Sequence, residues 1–140
     1  MWKEFDREAQ AFDLGTTGGT VSNTGIAGLT LGGGVGWLMG KHGLTVDNLL
    51  SVDLVTAGGE FVKASEEHNP DLFWGLRGGG GNFGVATSFE YRLHPVGPAV
   101  LGGLVLHPMA AARDVLRFYR NFCGGLPDEA EAWAALITAP

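Results

Sequence analysis

Two stretches, GTTGGTVSNTGIAGLTLGGGVGWLMGKHG (15–43) and GLRGGGGNFG (75–84), hold most of the chain's 24 glycines. Glycine loses more backbone entropy on folding than any other residue, so such density belongs where a backbone turns tightly or approaches another group closely. In the first stretch, Thr20, Val21, Ser22, Asn23, Thr24 and Gly25 supply small hydroxyls, an amide and backbone N–H groups. Gly25 and Gly28 let the backbone come near a ligand, and Gly32, Gly33 and Gly34 are expected to open a helix N-terminus. Groups of this kind satisfy a pyrophosphate without any Lys or Arg. Two glycine walls around a bulky, phosphate-bearing ligand are one reading. Glycine turns needed only for packing are the other.

Several other chemistries fail on spacing. Gly79–Gly84 (GGGNFG) fits G-x-G-x-x-G, but a dinucleotide fingerprint follows a strand and opens a helix. Here the expected order is reversed, which disfavours a nicotinamide-dependent dehydrogenase. Gly36–His42 is one residue short of a P-loop and carries His42 where Ser or Thr must hold magnesium. His42, His68, His94 and His107 show no metal-ligand spacing and read as surface or capping residues. Ser22, Ser51, Ser65 and Ser88 sit in no G-x-S-x-G elbow. Asp47-Asn48 follows a glycine turn and either caps the loop or faces a ligand. Glu66 and Glu67 read as a solvated face, and Cys123 as a buried structural thiol.

The elements that position these residues follow from periodicity and breakers. A helix is expected over 2–13, with Trp2, Phe5, Ala9 and Phe12 on one stripe and Gly15 as its stop. Residues 18–32 read as loop and short strand, and 33–42 as a short helix ended by Gly43. Leu49–Thr56 and Phe61–Ala64 form a hairpin about Ala57–Glu60. Pro70–Leu76 is a helix with Asn69 as its cap. Val85–His94 is a strand with Val85, Thr87, Phe89, Tyr91 and Leu93 facing one way. Pro95, Gly97 and Pro98 mark a boundary. A strand (Val100–His107), a helix (Ala110–Phe122) and a strand (Trp133–Thr138) are expected beyond it.

With 140 residues, 45% of them hydrophobic, the chain has room for one ordinary domain with a core. A net charge of −6 without a Lys/Arg stripe argues against a nucleic-acid partner. No run is apolar enough to span a bilayer, and the charged start MWKEFDREAQAFD lacks a signal-peptide core. The default expectation is a cytoplasmic protein with no membrane partner.

The stretches GGTVSNTGIAGLTLGGGVGWLMGKHGLTVDNLLSVDLVTAGGE and NPDLFWGLRGGGGNFGVATSFEYRLHPVG closely resemble the FAD-linked oxidases of the berberine bridge enzyme-like group. That group lies within the vanillyl-alcohol oxidase and p-cresol methylhydroxylase superfamily. The resemblance implies an α+β fold: the C-terminal part of an FAD-binding domain over 1–97, then over 98–140 the start of a substrate domain with an antiparallel sheet. It implies FAD as cofactor, with Thr20, Val21, Ser22, Asn23, Thr24, Gly25 and Gly28 along the pyrophosphate and ring. Leu29, Gly32, Gly33 and Gly34 would continue that wall. Gly84 and Val85 would meet the adenine end, with Asn82 and Phe83 supporting their turn.

The implied activity is oxidation of a small alcohol, sugar or phenol-like substrate, with oxygen or another acceptor taking the electrons. The departures matter as much. The His-bearing segment through which family members anchor the flavin has no counterpart here. No cysteine lies in Thr20–Gly28 to make the second flavin bond of plant members. No residue presents itself as the catalytic base: Tyr91 reads as core, and Tyr119 lies on an apolar helix face. The expectation is an internal or truncated piece of a longer flavoprotein. The alternative is a non-catalytic remnant that binds FAD weakly or not at all. Uncovered apolar faces and sheet edges also predict self-association.

Overall fold

The computed structural model describes residues 1–137, which divide into two compact units, Met1–Pro98 and Ala99 onward. The first unit combines short helices with antiparallel sheets, an α+β fold.

Helix α1 spans Trp2–Gln10 and buries Trp2 and Ala9. It stops three residues before the expected end, because Asp13 enters the left-handed region at φ 56°. Gly15 therefore does not terminate a helix. It lies in the two-residue strand β1 (Leu14–Gly15), and Phe12 is exposed. Helix α2 (Ile26–Leu31) occupies a segment expected to be loop and strand. Its glycine and β-branched residues are weak helix formers. Tertiary contacts of the buried Thr30 and Leu31 hold it. The helix expected over 33–42 shrinks to α3 (Met39–His42), ended as expected by Gly43 at φ 74°.

Strands β2 (Leu49–Val55) and β3 (Phe61–Ser65) form the expected hairpin. Strand β4 (Val85–Tyr91) pairs antiparallel with the other side of β2, giving the order β3-β2-β4. A two-residue strand β5 (His94–Pro95) leaves that sheet to pair with β1. Two register shifts interrupt the β2–β4 ladder, skipping Leu50 on one strand and Thr87 on the other. Each bulge reverses the in/out alternation. As a result Ala86, Phe89 and Tyr91 pack on the core, whereas Val85 is exposed. The single alternating face expected from Val85 to Leu93 is thus broken at Thr87, whose hydroxyl donates to the Asp53 carbonyl (3.1 Å).

The core is Leu31, Leu49, Val52, Leu54, Ala64, Phe73 and Leu76. Phe73 and Leu76 come from α4 (Pro70–Leu76), which has Pro70 in its first turn. Asn69 makes no side-chain cap. It sits at φ 51° and its amide donates to the Lys63 carbonyl instead (2.8 Å), tying α4 to β3.

The second unit contains helix α5 (Ala112–Cys123), preceded by a 3₁₀ turn at Met109–Ala111. Cys123 is half-buried rather than buried. Neither strand expected there forms. Val100–His107 and Trp133–Ile137 are irregular, because among the described residues no strand pairs with either. Thr138 lies outside the described residues.

Candidate functional site

Helix α1 shapes the first glycine stretch through its own unsatisfied end. The first N–H groups of a helix have no partner within it. Here Trp2 N–H donates to the Thr24 carbonyl (3.1 Å) and Lys3 N–H to the Ser22 carbonyl (3.0 Å). Thr24 N–H closes a turn onto the Val21 carbonyl (3.0 Å), and the Trp37 indole N–H reaches the Thr20 carbonyl (3.3 Å). The carbonyls of Thr20, Val21, Ser22 and Thr24 are therefore engaged by the chain. Among the described residues, the N–H groups of Ser22, Asn23 and Gly25 donate no hydrogen bond. All three residues lie at the surface. Uncommitted N–H groups clustered in a turn form an anion-binding concavity. Val21 is exposed beside them.

Helix α2 continues this surface. Thr30 and Leu31 face inward, Leu29 is half-buried, and Ala27, Gly28 and Gly32 are exposed. A methyl group added at Gly25 or Gly28 would meet nothing within 4 Å. Glycine inside a helix costs about 1 kcal/mol relative to alanine, so packing does not account for Gly28. Gly32 does not open a helix: it ends α2, and Gly33 and Gly34 follow at φ 110° and 82°. Left-handed glycines terminate helices rather than start them. Gly34 also packs against Thr45, where a side chain would collide.

The second stretch is built differently. Gly80 N–H donates to the Leu31 carbonyl (2.8 Å), which brings the two stretches together at the end of α2. The Phe83 ring lies against Gly75 and Gly79, and the Asn82 amide donates to the Gly79 carbonyl (2.8 Å). Gly84, at φ 151°, packs its backbone on Val55, so any side chain would collide with the Val55 carbonyl oxygen. Val85 pairs with Val55 at the hairpin end and is 71% exposed. Gly84 and Val85 therefore adjoin Val55 and Thr56.

Three polar arrangements surround the site, of which the first and the last went unseen in the sequence. The fully buried Thr30 hydroxyl bonds the Tyr91 hydroxyl at 2.6 Å. Burial pushes Tyr91 up to about 12, although the Thr30 bond pulls it down, so it is no base near neutrality. Next, Asn48 resolves the open alternative for Asp47-Asn48 toward loop capping. Its amide donates to the His42 and Leu44 carbonyls (2.9 Å each), and its oxygen accepts from His94 Nε2 (2.6 Å). Asp47 accepts from Leu44 N–H (2.8 Å) and meets Arg77 at 3.4 Å. Finally, His42 and His94 stack at 3.8 Å. A polar residue in an apolar segment, as with Thr30, is the signal that could have found the first.

Tyr119 donates its hydroxyl to the Ala132 carbonyl (2.9 Å). Among the described residues, no group of three or more His, Cys, Asp or Glu could hold a metal, and no helix is long and apolar enough to cross a membrane. A polar cleft of about 440 Å³ includes Lys63, Glu66, Glu67, Arg77, Glu90 and Arg92 but no residue of Thr20–Gly34. Two ion pairs lie in it, Lys63 with Glu90 and Arg77 with Asp47, as on a solvated charged face.

Residues 1–65 match the family described as an FAD binding domain. An FAD-linked oxidoreductase of Aspergillus terreus is 52% identical over 96 residues, 69% of this chain and 20% of that protein. Another, from Dictyostelium discoideum, is 39% identical over 137 residues, 98% of this chain and 30% of that protein. The crystal structure of 6-hydroxy-D-nicotine oxidase from Arthrobacter nicotinovorans superposes with a TM-score of 0.66 at 42% identity. That superposition covers 68% of this chain and 21% of the oxidase. The chain thus spans less than a third of the length of these relatives.

Proposed function

This chain belongs to the family of FAD-linked oxidoreductases, and on that premise we propose that Met1–Pro98 contributes one wall of an FAD site. The observation that carries the proposal is the open space at Gly25 and Gly28 beside the uncommitted N–H groups of Ser22, Asn23 and Gly25. These groups fit a pyrophosphate held by backbone donors without a charged side chain. In this reading Thr20–Gly28 lines the pyrophosphate and ring, Leu29 and Gly32–Gly34 extend the wall, and Gly84–Val85 borders the adenine end.

FAD, when bound, supplies hydride acceptance from a small alcohol, sugar or phenol-like substrate, with oxygen or another acceptor as final oxidant. The chain's own residues bind and orient. The α1–loop hydrogen bonds fix the donors, and the buried Thr30 and Leu31 fix the exposed glycine face of α2. Tyr91, buried and bonded to Thr30, is not available there as a proton acceptor. Similarity to a hydroxynicotine oxidase supports a small-molecule substrate.

Titrating the purified chain with FAD, followed by quenching of flavin fluorescence, tests the reading. Saturable binding released by acid is expected. No binding, or stabilisation by NADH but not FAD, would overturn it. We also propose that the chain self-associates, on the exposure of Val100, Leu101, Leu104, Val105 and Leu106. A monodisperse monomer in light scattering would contradict that.

A further inference from the structure

We propose that the Tyr91 hydroxyl is a positioning group for the FAD-facing glycine surface, an inference that rests on the FAD reading above. Tyr91 touches both pieces of that surface from within. Its hydroxyl meets the Thr30 hydroxyl at 2.6 Å, and Thr30 is fully buried two residues after Gly28 on α2. Its ring packs against Trp2 (centroids 5.8 Å apart) and Phe5 (5.8 Å) on α1. Trp2 in turn donates its backbone N–H to Thr24, and its indole lies so close to Gly18 that an added Cβ there would sit 2.9 Å from it. One side chain on β4 therefore braces the loop through Trp2 and the helix through Thr30.

The hydroxyl pair has a geometric role that apolar packing cannot replace. A six-residue helix is too short to be stable alone, and half of this one (Ile26, Gly28 and Thr30) consists of weaker helix formers. Leu31 anchors its C-terminal end in the core. The Thr30–Tyr91 bond adds a directional contact, which fixes the helix's rotation and so the direction in which Gly28 faces. Without it the helix stays packed but its glycine face is no longer set against the loop donors.

The test separates positioning from stability. Tyr91→Phe keeps the ring and strands the Thr30 hydroxyl, so both thermal stability and FAD affinity should fall, the latter about tenfold. In the Tyr91→Phe/Thr30→Val double variant both partners are apolar and neither leaves a buried hydroxyl unpaired, so the melting temperature should return toward that of the unaltered chain. FAD affinity should stay about tenfold weaker, and the amides of Leu29, Gly32 and Gly33 in the FAD-free chain should exchange faster. Thr30→Ser keeps the hydroxyl and should keep the affinity. Recovery of FAD affinity along with the melting temperature in the double variant would overturn the inference and leave the FAD reading standing. So would unchanged exchange at α2. No FAD binding by the unaltered chain overturns the FAD reading and the inference with it.

Discussion

In the second glycine stretch, a methyl group at Gly75, Gly79 or Gly84 would collide with Phe83 or with a carbonyl oxygen. At Gly25 and Gly28 in the first it would enter open space. The two stretches look alike as sequence, yet in the second Gly75, Gly79 and Gly84 answer to the chain's own packing, Gly78 and Gly80 to a positive φ, and Gly81 alone to neither. The first is mixed: Gly18, Gly34, Gly36 and Gly43 are closely packed, while the residues flanking the start of α2 are not. Glycine density therefore does not locate a ligand. Glycines that neither a positive φ nor a near neighbour requires are the informative ones, and Gly25 and Gly28 lie next to the uncommitted N–H groups.

Substituting Gly84 should break the comparison most visibly. Gly84→Ala places a Cβ on the Val55 carbonyl at a φ that L-residues rarely adopt, and should cost about 2–4 kcal/mol of stability. Urea denaturation reads this directly. A loss under about 1 kcal/mol would mean the hairpin end yields, and the second stretch would no longer count as packed.

Gly28→Ala should do the opposite to stability. The helix gains up to about 1 kcal/mol, because the new methyl touches nothing. FAD affinity should nevertheless fall about tenfold, close to 1.4 kcal/mol. A stabilised variant that binds its cofactor more weakly identifies a glycine kept for an external partner. Unchanged affinity would move the cofactor away from α2.

The parts of this arrangement that could be read in advance are those set by local rules. The β2–β3 hairpin, α4 and α5 follow from alternation, a glycine turn, Pro70 and an apolar stripe. The strand β4 was legible but its faces were not, because the bulge at Thr87 depends on the partner strand. Helix α2 is hard to read because it is short and half of its residues are weaker helix formers, so contacts such as those of Thr30 with Tyr91 and Leu31 with the core hold it. Val100–His107 carries a strand-like composition with no strand beside it. At the site, the glycine loop was visible as chemistry. Which glycines face outward was not, since that depends on how α1, α2 and β4 pack.

The smallest expected effect concerns the far end of the first stretch and sharpens where that stretch is soft. His42 lies in its last turn and stacks on His94, which is bonded to the buried Asn48. Desolvation holds both histidines below the usual 6.5; the neighbouring His94 and Lys41 add to this for His42, and Arg92 for His94. With their folded values depressed, the unfolded chain binds more protons just below 6.5, so stability rises with pH through that range. It is fully present above about pH 6.5 and declines as pH falls toward the folded values. The melting temperature should therefore be slightly lower at about pH 5.5 than at about pH 7.5, and His42→Asn should flatten that slope. Amide exchange should localise the acid effect to the residues Asn48 ties together: Gly43 should lose protection while Gly79, in the second stretch, keeps it. Equal loss at both would mean that acid unfolds the unit as a whole, and that the two stretches, however differently packed, open together.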